Sequence, residues 1–223
     1  MKRLTIEERA RAWDDYLKVN HPRYYSDLHP QIIRFADILQ KEDRKELLDI
    51  GCGPGRNTVH LAERFNVTAM DISEKALEIC AGRVMAQGHG LRTILGNQFA
   101  LPFPDNCFSA VLSAFSLNFG YLDEIDKGEK EMFRVLEPGG LYLLAVLSDQ
   151  DPRDKKGEKV EEGTFQTEDG LVMHYFSEKE LEDLPGTIIS KEHSIFHRGY
   201  EGEKDLGEAG AWFVIGEKEF EKL

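Results

Sequence analysis

The sequence predicts an α/β fold, a largely parallel sheet with helices on both faces, and three observations lead there. Short apolar segments alternate with amphipathic ones from Leu47 to Leu147, and such alternation brings successive strands back into one sheet in parallel. The first apolar segment, Leu47 to Ile50, runs straight into Gly51, Gly53 and Gly55, as a strand does where an open sheet meets its ligand. At 223 residues with 41% hydrophobic side chains, the chain is near the size of one large domain with its own core.

Thr5-Ile6-Glu7-Glu8 reads as a capping box, and Ile6, Ala10, Trp13 and Leu17 follow at helical spacing. That pattern gives an amphipathic helix to about Lys18, ended by His21-Pro22. A second helix is expected over Pro30 to Gln40, after which the charged run Lys41 to Glu46 leads into the strand Leu47 to Ile50. Gly55 to Phe65 is helical in pattern, Val67 to Met70 is a strand ending at Asp71, and Ser73 caps a helix to about Gln87. Leu91 to Leu95, Phe108 to Ser113 and Leu141 to Leu147 are further strands, with a helix of about Asp123 to Leu136 before the last. Beyond Ser148 the pattern changes. Asp149 to Glu162 is a charged connection whose acidic end, Glu158 to Glu162, reads as a solvated face. Thr164 to Thr167 and Leu171 to Phe176 are expected as a hairpin, and Ser177-Glu178-Lys179-Glu180 caps a short helix. Thr187 to Phe196 and Ala211 to Ile215 are β-rich and are expected to pair antiparallel.

Composition narrows the partners. A net charge of -13, from 41 acids against 28 bases, repels phosphate backbones and anionic headgroups, so neither nucleic acid nor a membrane is expected. Cys52, Cys80 and Cys107 are too few and too scattered for a disulfide framework or a zinc site, which fits a reducing cytoplasm and implies no metal. The N-terminus turns acidic before an apolar run develops, and no 18 apolar residues follow one another. Neither a signal peptide nor a membrane span is expected.

The glycine turn discriminates between ligands. A dinucleotide fingerprint needs a third glycine at position 56, which is Arg56, and no Gly-Lys-Ser/Thr follows for a nucleoside triphosphate. G-x-G-x-G without a phosphate cradle suits a nucleoside bearing a carboxylate tail. Leu48 to Asn57, L-D-I-G-C-G-P-G-R-N, resembles the first motif of the class I S-adenosylmethionine-dependent methyltransferases. Further motifs follow in order between Lys45 and Ser148. Asp71, in V-T-A-M-D-I-S, matches the acid that accepts both ribose hydroxyls, and Ile72 its apolar neighbour on adenine. G-N-Q-F-A-L-P-F, Gly96 to Phe103, resembles the loop at the adenine edge, which places Asn97 and Gln98 there; Asn97 stands where aspartate is usual. F-S-A-V-L-S-A-F-S-L-N-F and R-V-L-E-P-G-G-L-Y-L-L are similar to the fourth strand with its loop and to the turn entering the fifth.

The resemblance implies a Rossmann-like, seven-stranded, mostly parallel sheet with an antiparallel last strand, and S-adenosylmethionine as cofactor. It divides a single domain into an N-terminal helical lid (1–44), a cofactor core (45–148), an insertion with hairpin and helix (149–186) and C-terminal antiparallel strands (187–223). Asp49 is expected to accept from the cofactor's amino group or the turn's amides, Gly51 and Gly53 to offer backbone, Arg56 to pair with the methionine carboxylate, and Ser113 to lie beneath the methionine moiety. Tyr25, in the Tyr24-Tyr25 pair, is expected to close the pocket, Trp13 to be buried packing, and Cys52 a small packing residue.

Methyl transfer asks mainly for alignment, since a sulfonium is already electrophilic. The loop after the fourth strand, Ser113-Ala114-Phe115-Ser116, is not the Asn/Asp-Pro-Pro-aromatic motif of enzymes acting on exocyclic or amide nitrogens. His174, and the pair His197-Arg198 at a strand end, are candidates for handling the acceptor. G-C-G-x-G-R-N with such a His-Arg pair is similar to the tellurite-resistance-type methyltransferases, which implies a small-molecule acceptor for a monomer or homodimer. A protein or RNA methyltransferase, a polyamine-type alkyl transferase, and a binding protein without transfer activity stay open beside it.

Overall fold

The computed structural model describes residues 2–20, 28–152, 155, 157–168, 170–197, 200–201, 204–205 and 207–219. Helix α1 (Ile6–Asn20) starts at the expected capping box: Thr5 N–H donates to Glu8 at 2.8 Å and Glu8 N–H to Thr5 Oγ1 at 3.2 Å. Helix α2 (Pro30–Lys41) follows, then β1 (Glu46–Ile50), α3 (Thr58–Leu61), β2 (Asn66–Asp71), α4 (Glu74–Ala86) and β3 (Arg92–Leu95). Next come β4 (Phe108–Ala114), α5 (Leu122–Val135) and β5 (Leu136–Leu147). The C-terminal part holds β6 (Glu158–Glu161), β7 (Thr164–Gln166), β8 (Val172–His174), α6 (Glu178–Glu182), β9 (Thr187–His197), β10 (Tyr200–Glu201), β11 (Lys204–Asp205) and β12 (Glu208–Glu217).

The main sheet has seven strands in the order β3-β2-β1-β4-β5-β12-β9. The first five are parallel; β12 runs antiparallel between β5 and β9, pairing Phe213 with Ala145 on one side and Glu192 on the other. The expected architecture is therefore present, including the antiparallel last strand. Both faces are covered, as near-continuous apolar strands require. On one side Ile32, Phe35 and Leu39 of α2, with Val59, Leu61, Cys80 and Val84, pack over Leu47, Leu112, Leu143 and Phe213. On the other, Met132 and Phe133 of α5 and Leu181 of α6 cover Leu48, Val111, Tyr142, Leu144 and Trp212. Cys52 is buried among the first set.

Two local expectations change. The helix expected over Gly55 to Phe65 is only Thr58–Leu61. Bonds of the i to i−4 kind still join Val59 to Gly55 and Phe65 to Leu61, but i−3 bonds at His60 and Arg64 tighten the turns between them. The acidic run Glu158 to Glu162 is not simply a solvated face. Most of it is strand β6, which joins the expected β7–β8 hairpin in a three-stranded sheet, and Glu161 accepts from Leu122 N–H at 2.8 Å. A carboxylate at that place satisfies an otherwise orphaned donor at the start of α5. No helix among the described residues is long and apolar enough to cross a membrane.

Candidate active site

The carboxyl ends of β1, β2 and β4 converge on the turn after β1. Gly51, Gly53 and Gly55 take φ of 66°, 55° and 85°, a region that L side chains avoid. Their surroundings separate them. A Cβ on Gly51 would strike Ser116 and one on Gly55 would lie 2.7 Å from Cys80 Sγ, whereas one on Gly53 would meet nothing within 4 Å. Gly51 and Gly55 are needed for packing; Gly53 borders open space.

Asp71 closes the turn from β2. One carboxylate oxygen accepts from Gly53 N–H at 2.8 Å and the other from Ser73 N–H at 2.9 Å. Each oxygen keeps a lone pair for a ligand. Burial pushes the Asp71 carboxyl up, against the pull of the amides of Ser73 and Gly53. Asp49, 1% exposed, accepts from the Thr58 hydroxyl at 2.7 Å. Burial raises its pKa to about 6; the Thr58 bond opposes that rise, Asp71 adds to it, and Arg56 opposes it. Two buried carboxylates held above their ordinary range favour a ligand that brings positive charge.

The loop after β4 is fixed from several directions. Phe115 stands at φ 62° and donates its N–H to Ala145 O at 2.7 Å; a bulky residue there is strained and persists because its surroundings hold it. Ser116 Oγ donates to Gln98 Oε1, and Gln98 Nε2 donates back to Ser116 O at 3.1 Å. The Phe119 ring meets Trp13 of α1 edge-on at 4.7 Å. Helix α1 is tied down beside the turn: Ser73 Oγ donates to Asp14, and Arg9 bonds both oxygens of Glu124 at 2.9 and 3.0 Å. Glu124 also accepts from Tyr121 N–H at 3.0 Å, so one carboxylate both caps α5 and anchors α1.

Residues 47–140 match a family model described as a methyltransferase domain. The tRNA N(3)-cytidine methyltransferase METTL2 of Gallus gallus is 26% identical over 198 residues, covering 81% of this chain and 52% of that protein. The demethylmenaquinone methyltransferase of Thermus thermophilus is 32% identical over 158 residues, 70% of this chain and 64% of that one. The chain thus spans about half to two thirds of these curated relatives. A solved S-adenosylmethionine-dependent methyltransferase of Methanosarcina mazei aligns with a TM-score of 0.70 at 24% identity, over 88% of this chain and 100% of the other. Residues 47–140 of the chain are a methyltransferase domain, and its fold is that of the solved S-adenosylmethionine-dependent enzyme.

In this methyltransferase domain Asp49, Gly51, Gly53, Arg56 and Asp71 come together around the turn, with half-buried Ile72 directly after Asp71. The Arg56 guanidinium lies 5.9 Å over the Phe115 ring. Ser113 sits on β4 between Ile50 and Leu144, 2% exposed, its hydroxyl without a partner among the described residues. Asn97 folds onto its own loop, Oδ1 accepting from Phe99 N–H at 3.0 Å, which leaves that oxygen a second lone pair.

One candidate is corrected and another is already engaged. Gln98 holds Ser116 with both ends of its amide, each end keeping one further hydrogen-bonding position. His174 is 1% exposed, with Nδ1 2.8 Å from Thr164 Oγ1 and Nε2 2.9 Å from Glu180. A ring buried with both nitrogens engaged has none left for an acceptor. Burial alone would push Glu180 up, yet its bonds from His174 and Ser177 hold it down to about 2. His197 is exposed at the end of β9, opposite Glu208. Arg198 and Tyr25 lie outside the described residues. Trp13 is half-buried at the loop, not fully buried packing.

Sequence reasoning missed His29 and Phe115. His29 caps α2 through Nδ1, which accepts from Gln31 N–H at 3.3 Å. The signal available was its place just before Pro30 at a helix start. Nothing in the sequence marks Phe115 for a positive φ.

Proposed function

We propose that the chain transfers a methyl group from S-adenosylmethionine to a small-molecule acceptor by in-line displacement. The observation that carries this reading is the pairing of Asp71 with Gly53: a carboxylate already oriented by two backbone amides stands beside the one glycine of the turn that borders open space. A ribose diol needs such a double acceptor at a strand end. Ile72 then packs on adenine, and Asn97 meets the adenine edge with its remaining lone pair. Asp49 offsets the cofactor's positive charge from behind the turn, Arg56 pairs with the carboxylate, and Ser113 lies beneath the methionine moiety. When bound, S-adenosylmethionine supplies a methyl group on a sulfonium; the chain's part is to hold it, align the acceptor and keep water out.

The tRNA-modifying relative, which covers 81% of this chain, favours RNA as a second acceptor class. The net charge of -13 counts against it, because RNA binding draws on cationic surface.

Calorimetric titration with S-adenosylmethionine and S-adenosylhomocysteine tests the reading. Stoichiometric binding is expected, weakened at least a hundredfold in a folded Asp71→Ala variant, since two hydrogen bonds to a charged acceptor are lost. Folded, ligand-free protein that binds neither compound would overturn it.

A further inference from the structure

Four rings stand together at the carboxyl edge of the sheet, beyond the contacts assigned to the cofactor. His29 stacks on Phe213 with centroids 3.8 Å apart and planes 9° apart, and meets Phe196 edge-on at 5.5 Å. Phe115 meets Phe213 edge-on at 5.9 Å and lies 6.0 Å from Phe196. Phe213 is buried and forms the back of this wall, while Phe115, Phe196 and His29 are half-buried and keep ring surface available. Arg56 sits over Phe115, so the wall begins where the glycine turn ends. The positive φ of Phe115 is what turns its ring into this group, and such strain clusters where a site needs it.

His29 adds a polar edge of defined sense. Its Nδ1 accepts from Gln31 N–H, and a ring nitrogen that accepts carries no proton, so in the neutral ring the proton is on Nε2. Burial lowers the His29 pKa and Arg56 lowers it further, against the opposite pull of Glu192. Nε2 lies 3.4 Å from Ser194 Oγ, a long contact that a better acceptor can replace.

We propose that this wall seats the methyl acceptor, and that the acceptor is a planar aromatic ring bearing an oxygen nucleophile, stacked against Phe115 and Phe196 and oriented by a hydrogen bond from His29 Nε2. The proposal rests on the methyltransferase reading above. The Nε2 donor of His29 suits an oxygen with a lone pair to offer and rejects a cationic amine, which has only donors. Transfer to such an acceptor forms an oxygen–carbon bond and breaks the sulfonium carbon–sulfur bond, and the hydroxyl proton leaves to solvent. His29 is a positioning residue and takes no proton.

The test is binding of 2-naphthol and of its saturated counterpart, decahydro-2-naphthol, to protein saturated with S-adenosylhomocysteine, followed by calorimetry. Naphthol is expected to bind at least tenfold more tightly, and Phe196→Leu to reduce that preference about three- to tenfold. His29→Asn keeps a good helix cap and removes the Nε2 donor. It is expected to weaken naphthol about five- to tenfold while S-adenosylhomocysteine affinity stays at the wild-type value and Tm falls only by the few degrees that the lost ring stack on Phe213 accounts for. Equal binding of the two alcohols, or naphthol affinity unchanged in both variants, overturns the acceptor proposal alone. Failure to bind S-adenosylhomocysteine overturns the methyltransferase reading, and the proposal with it.

Discussion

Replacing Asp49 by Asn should make the protein more stable at neutral pH and change nothing in acid. The carboxyl is buried, and its pKa rises from the ordinary 3.8 to about 6. At 1.36 kcal/mol per pH unit, that gap makes ionised Asp49 a cost of about 3 kcal/mol to the folded state. The folded form holds the proton over a pH range in which the unfolded chain has released it, so this group's stability is fully present below about pH 4. It is lost as pH rises to about 6. An asparagine does not titrate and can still accept from the Thr58 hydroxyl. The difference between variant and wild type should therefore grow from near zero at pH 4 to about 3 kcal/mol above pH 6, less any misfit of the amide. Urea unfolding at a series of pH values measures it, the comparison cancelling every other titrating group. A difference that stays constant from pH 4 to pH 8 would refute the reasoning. The same substitution should weaken S-adenosylmethionine about tenfold or more, because the ligand's positive charge is what offsets ionised Asp49.

Gly53→Ala should lower S-adenosylhomocysteine affinity at least tenfold with a stability loss of only about 1 kcal/mol, the strain of a side chain at positive φ. Gly55→Ala, whose Cβ would crowd Cys80, should cost about 2–3 kcal/mol in chemical denaturation; equal losses would undo the distinction. His174→Ala should destabilise by about 2–3 kcal/mol, since Thr164 and Glu180 lose their shared partner, and leave cofactor affinity as it was in the same calorimetric assay. Glu124→Ala strands the buried Arg9 charge and should cost about 3 kcal/mol, read as faster proteolytic cleavage within α1.

The sheet was legible because its signals are local. Three apolar residues around Asp49, set between a charged run and three glycines, or Ser73 placed to cap α4, state their structure within a few positions. The glycine turn shared that advantage, since Asp49, Gly53 and Asp71 follow from strand ends. What stayed hidden depends on pairings that turns and strand register create, not on a local pattern. His174 looks like any histidine on a strand until Thr164 and Glu180 are seen to enclose it, and Gln98 looks uncommitted until Ser116 arrives from the loop after β4. The register of β12 against β9 brings Phe213 and Phe196 to His29 across most of the chain, and no periodicity encodes that meeting. Helix α3 was overread because an apolar pattern of period 3.6 does not distinguish a regular helix from mixed i−3 and i−4 turns.

Helix α1 is held at one end by a buried ion pair to Glu124 and further along by the bond between Ser73 and Asp14. Ser73 also donates its N–H to Asp71. The docking of α1 and the orientation of the Asp71 carboxylate therefore share one residue, so that a change at Ser73 would reach both the turn and the helix beside it.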